Sequence, residues 1–269
     1  MNEPLHLVTA IIQQRQGTGS DFTPMSAYRQ RLEAIVALGI PMTVFGDWRL
    51  RTEGHVTWVP VCIQDLWLCR VVDAIGHEII RLPEHRNVDK DTLDYLIIQN
   101  SKTELCAHVA RETGARRIAW IDAGVTKLCN YATGEPLSLE RLRLCAQLPE
   151  GITIPGRRDF PDPARQWRMD EICWRFLGGF FAGDGESICR LDVSARQLLV
   201  ELLPQLSWET NHWMMLEAAM MLEAARGLEF RRYTAGHDET FLDFPLRDAR
   251  ITELERKCEL ETSVPKEMP

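Results

Sequence analysis

Apolar residues along this chain fall into short unbroken runs that alternate with stretches of helical spacing. Leu5 to Ile12 is almost wholly apolar and predicts a first strand. Gln13 to Pro24 is polar, rich in Gly, Ser and Thr, and predicts a loop. Ser26 to Leu38 sets Leu32, Ile35 and Val36 on a helical face and ends at Gly39, where a helix commonly closes. Pro41 leads into Met42 to Phe45, a second strand that closes on Gly46 and Asp47. Strand, loop, helix and strand in this order predict a parallel sheet with helices on its faces.

The pattern continues. Val56 to Val61 predicts a third strand, and Asp65 to Ile80 a helix carrying Leu66, Val71, Val72 and Ile75. Asp91 to Arg111 predicts another helix, with room for a break into two pieces, ahead of a strand over Ile118 to Ile121. Leu137 to Leu144 has helical spacing. Pro149 to Pro163 holds four prolines and two glycines; it predicts a strand at Ile152 to Ile154, then an irregular loop. Ala195 to Leu206 and His212 to Ala225 predict helices, and Phe230 to Thr234 a short edge or return strand. The fold class expected is α/β, a mostly parallel sheet flanked by helices in one compact domain. Within it, 1–150 would form one half, 151–246 the other, and 247–269 a C-terminal helix fraying into a tail.

Composition narrows the function. With 269 residues, 45% hydrophobic and 26% charged, the chain can bury a sizeable core. A net charge of −8 argues against a protein whose main partner is nucleic acid. The arginine pairs Arg116-Arg117, Arg157-Arg158 and Arg231-Arg232 could each face a phosphate, although a solvated surface is the commoner use. Eight cysteines lie without CxxC spacing, mostly in apolar stretches where a thiol serves as a small hydrophobe. With no leader-like segment in view, they predict a reducing cytoplasm. No apolar run reaches the roughly 20 residues of a membrane-spanning helix.

Five places carry candidate chemistry. Ile118-Ala119-Trp120-Ile121-Asp122-Ala123-Gly124 ends a buried strand on a carboxylate, the position where open α/β sheets build ligand sites. An Asp that merely opens a turn would look the same. Asn100, Ser101 and Lys102 lie at or near a helix start, where Lys can offer a charge to phosphate and Ser can cap. Phe176-Leu177-Gly178-Gly179-Phe180-Phe181-Ala182-Gly183-Asp184 sets glycines among aromatics, which brings backbone close to a ligand or to another strand. Trp208-Glu209-Thr210-Asn211-His212-Trp213 offers stacking faces and a carboxylate, Glu209, able to act as a general base. Gly236-His237-Asp238-Glu239-Thr240 could complete a metal site with Asp122 or simply cap a loop. His6, His55, His77, His85 and His108 have no such company and read as structural or surface residues. The chain lacks GxGxxG after its first strand, the P-loop pattern and the GxSxG elbow, which weighs against dehydrogenases, P-loop NTPases and α/β-hydrolases.

In this order, the segments Ile-Ile-Gln-Asn-Ser-Lys, Ala-Trp-Ile-Asp-Ala-Gly, Phe-Leu-Gly-Gly-Phe-Phe-Ala-Gly-Asp, Trp-Glu-Thr-Asn-His-Trp and Gly-His-Asp-Glu-Thr resemble the WlaTC/HtrL family of bacterial glycosyltransferase-like proteins. The resemblance runs from about residue 5 to about residue 243. It implies a GT-A type fold, a nucleotide-sugar donor with UDP-sugars first in line, a divalent cation such as Mn²⁺ or Mg²⁺, and a glycan, lipid-linked or protein acceptor. By the same resemblance Thr9, Ala10, Arg15 and Lys102 would border the nucleotide or its diphosphate, and Gly178 and Gly179 the sugar side. Asp122, with help from His237 and Asp238, would hold the cation. The acidic motif of such folds commonly carries a second acid two residues on, where this chain has Gly124. An inverting enzyme would need a base, which Glu209 or Asp184 could supply; a retaining one would not. A nucleotide-sugar-binding or assembly protein without turnover is the alternative, and a nucleotidyltransferase a weaker one.

Overall fold

The computed structural model describes residues 5–13, 25–46, 54–76, 92–128, 138–156, 176–202 and 227–246. Their seven strands are β1 (His6–Ile11), β2 (Met42–Gly46), β3 (Val56–Pro60), β4 (Arg117–Ile121), β5 (Ile152–Gly156), β6 (Phe180–Asp184) and β7 (Phe230–Thr234). They form one sheet in the order β3-β2-β1-β4-β6-β5-β7. Neighbours are parallel except at β6, which runs against both β4 and β5. The chain is therefore of the α/β class, and its mostly parallel sheet matches the expectation. Strands from 1–150 and 151–246 join this one sheet, with β6 inserted between β4 and β5.

The central strands are buried on both faces, so they read as continuous apolar runs instead of alternating ones. Arg117–Ile121 and Met42–Gly46 are enclosed along their whole length. On one face, Val8, Ile118, Trp120, Ile152 and Phe181 pack under α2 (Trp67–Ile75), α3 (Leu93–Asn100), α4 (Lys102–Thr113) and α5 (Gly185–Leu202). On the other, Leu7, Ile11, Ala119, Ile121 and Phe180 pack under α1 (Met25–Val36), a 3₁₀ segment at Leu139–Gln147 and the turn around Phe241 to Phe244. Polar ties join the outer helices. The Glu104 carboxylate accepts the Trp67 backbone N–H at the start of α2, and Arg196 of α5 stacks over the Trp67 ring at 5.0 Å.

Two helical elements differ from the sequence pattern, and the break allowed for in a third is present. Leu139–Gln147 forms 3₁₀ helix instead of α-helix, with Arg141 donating to the Leu242 carbonyl and Arg143 to that of Leu38. The helix expected from Ala195 begins ten residues earlier at Gly185, because Asp184 ends β6 and accepts the Ser187 N–H at 2.9 Å. Asp91 to Arg111 divides at Ser101 into α3 and α4. The helix expected over His212 to Ala225 and the tail from 247 lie outside the described residues. Among the described residues no helix is long and apolar enough to cross a membrane.

The histidines expected to be structural or surface residues are placed so where they are described. His6 is buried with its Nε2 2.8 Å from the Thr43 hydroxyl, and burial lowers its pKa. His108 meets the edge of the Phe45 ring.

Gly183 pairs with Ile118 on one side and Ile152 on the other. A Cβ there would come within 2.6 Å of Ile152 Cδ1 and 2.9 Å of the Gly151 carbonyl. Gly183→Ala is expected to lower stability by about 1–3 kcal/mol through overpacking between these strands. Urea unfolding measures it; an unchanged midpoint would contradict the close approach of β5 and β6.

Candidate functional site

The sheet order reverses at β1. The chain runs outward from β1 to β2 and β3, then returns to the other side of β1 as β4. β1 and β4 lie side by side, with Val8 opposite Trp120, so their C-terminal ends leave the sheet at one edge. Open α/β sheets bind ligands in the crevice at such a switch point, outside the carboxyl ends of the strands. Because β6 is reversed, its beginning arrives at this same edge. Phe180 pairs with Ile121, and the Asp122 N–H donates to the Gly179 carbonyl at 2.9 Å. Asp122, Gly178 and Gly179, far apart in sequence, are thus brought together.

Lys102 joins them from below. Its ammonium lies 2.8 Å from Asp122 Oδ1 and donates to the Gly178 carbonyl at 2.9 Å, with the Trp120 ring 5.5 Å away. The Trp120 indole N–H donates to the same Asp122 oxygen at 2.7 Å. Lys102 is only 1% exposed, whereas the Asp122 side chain is 35% exposed. Lysine in the first turn of α4 opposes the helix dipole, which favours acids there. The break at Ser101 and the Asp122 carboxylate account for its position. Ser101 donates its hydroxyl back to the Ile97 carbonyl at 2.9 Å and does not point at the edge. The resemblance would set Lys102 beside the nucleotide or its diphosphate; its ammonium is directed at Asp122 and Gly178.

Two further side chains at this edge escaped the sequence reading. Gly124 sits against Tyr28 of α1: a Cβ at position 124 would lie 3.0 Å from Tyr28 Cε1 and 4.0 Å from a terminal nitrogen of Arg31. The Arg31 guanidinium lies 5.8 Å from the Tyr28 ring centre. The place where a second acid would stand is therefore crowded by an aromatic ring and bordered by a cation. Nothing in the helical pattern separates Arg31 from Arg29; only the packing of α1 against the Asp122–Gly124 turn does. Gly179 is similarly close to Phe241, whose Cζ would lie 3.0 Å from a Cβ there.

The other expected residues are distributed as follows. Ala10 lies on the Trp120 side of β1 and borders the edge. Thr9 is enclosed, on the face of Leu7 and Ile11, with its hydroxyl unpartnered in the core. It does not open onto the Asp122 side. Arg15 and Glu209 lie outside the described residues. His237 lies near Phe241, ring centres 6.4 Å apart, while Asp238 caps the 3₁₀ turn Glu239–Leu242 by accepting the Thr240 N–H at 3.0 Å. Among the described residues, no three His, Cys, Asp or Glu side chains gather in a way that could hold a metal ion.

Asp184 stands at the opposite end of β6, paired with Arg117 at the start of β4. At about 3.3 Å per residue, that end is more than a dozen ångströms from Phe180. Its carboxylate accepts from the Gly151 N–H at 2.7 Å and from the Ser187 N–H and hydroxyl. Burial alone would raise its pKa, but the hydrogen bonds from Ser187 and Gly151 and the nearby Arg117 outweigh it and hold the carboxyl below its ordinary range. Asp184 lines a polar cleft of about 290 Å³ with Arg116, Arg117, Arg190, Glu150 and Glu186, where three arginines face three acids. The structure thus does not bring Asp184 to the Asp122 edge, and its geometry is that of a helix cap.

Two predictions follow from these contacts. Asp122→Asn leaves a buried ammonium without its anion and is expected to cost about 3 kcal/mol, whereas Lys102→Met, which leaves a carboxylate able to turn to water, costs less. The double variant should lose less than the sum, with a coupling of about 1 kcal/mol or more in urea unfolding; strict additivity would mean that the pair does not hold the edge. For Asp184, a depressed folded pKa means stability that is present above the unfolded value and lost as pH falls through the folded one. Asp184→Ala should lower stability by about 1–2 kcal/mol at neutral pH, and the gap from wild type should narrow below about pH 4. A gap independent of pH in thermal melts would refute this role.

A comparison with protein families finds no match, and neither does a comparison with curated proteins. The meaning of this edge rests on its own geometry.

Proposed function

We propose that this chain is a GT-A-like glycosyltransferase that moves a sugar from a nucleotide-sugar donor to an acceptor hydroxyl at the edge formed by β1, β4 and the start of β6. One observation carries the reading: a half-exposed carboxylate, Asp122, stands at the switch point of a mostly parallel sheet, opposite the glycine pair Gly178-Gly179. The ordered motifs shared in appearance with the WlaTC/HtrL proteins support the same choice, as does the α/β sheet they imply.

The chemistry requires a leaving nucleoside diphosphate to be stabilised as charge develops, by a cation or by side-chain clamps. The glycine at 179 lets the backbone close on the carboxylate: Asp122 Oδ2 and Phe241 Cζ lie 3.4 and 3.0 Å from where its Cβ would be. The acceptor hydroxyl loses its proton in an inverting transfer. With Asp184 at the far edge, that base would be Glu209. A chain that binds the donor without turnover is the alternative, favoured by the ammonium already resting on Asp122.

The divalent cation implied by the resemblance does not find a ligand set among the described residues. They offer it one carboxylate, which already carries Lys102 and the Trp120 indole, and position 124 packs against Tyr28. The Asp238 carboxylate is engaged by Thr240.

Thermal melts against UDP-, GDP- and CMP-sugars test the proposal. Ligand at a hundredfold excess over Kd adds about 2.7 kcal/mol, which raises the Tm of a chain this long by roughly 5–10 °C. At least one donor should do so in the wild type and lose most of the effect in Asp122→Ala. Release of the leaving nucleotide in the presence of acceptor extracts, a nucleoside diphosphate from UDP- or GDP-sugars and CMP from CMP-sugars, separates an enzyme from a binding protein. No shift with any nucleotide sugar would dismiss both readings.

A further inference from the structure

We infer that this edge holds the donor's diphosphate with side-chain cations in place of a divalent ion: Lys102 neutralises Asp122, and Arg31 faces the phosphates. The inference rests on the proposal that a nucleotide-sugar binds here, and extends it to how the charge is met.

Hard divalent cations take carboxylate and carbonyl oxygens. At this edge two such oxygens, Asp122 Oδ1 and the Gly178 carbonyl, are bridged by the Lys102 ammonium at 2.8 and 2.9 Å. Lys102 thus sits where an ion sharing those oxygens would sit. Oδ1 accepts the Trp120 indole N–H as well, so its two lone pairs are both engaged. A second carboxylate at position 124 would crowd Tyr28 Cε1, 3.0 Å from the Cβ that it would need, and would have to push that ring aside.

Charge points the same way. Asp122 and Lys102 cancel, and Arg31, 4.0 Å from the Cβ position of Gly124, leaves the edge with one net positive charge among these three groups. A diphosphate is then attracted with no ion added. A guanidinium also matches phosphate oxygens in a bidentate way that an ammonium cannot. Asp122, its charge cancelled, is left to accept a hydrogen bond through Oδ2, from a ribose or sugar hydroxyl of the donor. Lys102 is on this account a positioning residue: it touches Asp122 and not the donor.

The experiment is calorimetric titration of the full chain with UDP, in EDTA and again with Mn²⁺. Wild type should bind equally in both. Arg31→Ala, on a partly exposed helix position, should weaken UDP about tenfold or more, with Arg31→Lys recovering part of it. Lys102→Met exposes an uncompensated carboxylate, and in that variant alone Mn²⁺ should strengthen UDP binding, a signature that mere loss of stability would not produce. UDP binding that vanishes in EDTA and returns with Mn²⁺ in the wild type, or that ignores Arg31→Ala, would overturn the inference while leaving the glycosyltransferase proposal standing. Absence of UDP binding in both buffers would overturn the inference for a UDP donor, and the glycosyltransferase proposal would fall with it only if no nucleotide-sugar shifts the melt.

Discussion

A buried ammonium needs an anion beside it, and this requirement organises the edge where β1, β4 and the start of β6 meet. Lys102 lies at the start of α4, one residue past the break at Ser101, nearly out of contact with solvent. Its charge is met by Asp122 at the tip of β4 and by the carbonyl of Gly178 at the approach to β6. One side chain therefore ties a helix, a parallel strand and the reversed strand together at the place where β1 and β4 diverge. Without it, the Asp122 carboxylate would have only the Trp120 indole to orient it, and the approach to β6 would lose the cross-link that presents Gly179.

The reversed strand is the second condition. Were β6 parallel, Gly178 and Gly179 would lie at the edge where Asp184 now stands, and Asp122 would face the end of a strand without them. Reversal places the two ends of Phe180–Asp184 in different roles. The first supplies close backbone to the crevice; the last caps α5 through Ser187 and Gly151. Two acids that look alike in sequence, each following a buried strand, are thereby assigned different work by sheet direction alone.

Much of the fold was legible because it is written in local spacing. Apolar runs at His6–Ile11, Met42–Gly46 and Arg117–Ile121 announce buried strands, Val56–Pro60 a strand that lies at the sheet's edge, and Gly39 marks the end of α1. The strand Phe230–Thr234 and its place at the sheet's edge were also readable. What was not legible depends on contacts between distant segments. Phe180–Asp184 reads as glycine-rich packing, since nothing local declares an antiparallel strand between two parallel ones. The onset of α5 at Gly185 was hidden by Gly-Asp-Gly, which resembles a turn until Asp184 is seen to cap it. In the site, Asp122, Lys102, Gly178 and Gly179 were visible as separate suspects, but the ammonium's target was not. Arg31 and Tyr28 gave no signal at all: their helix is ordinary, and only its packing against Gly124 brings them to the edge.

Where a nucleotide sits on the molecule decides the role of this edge. Crystals of the protein soaked with UDP, in EDTA and again with Mn²⁺, would reveal it directly. Density for the diphosphate should lie against Ala10, Gly179 and Arg31, with Lys102 still on Asp122 and no ion between them. A diphosphate found instead in the arginine-lined cleft beside Asp184, or Lys102 displaced from Asp122 by a bound metal, would contradict the role proposed for the Asp122 edge.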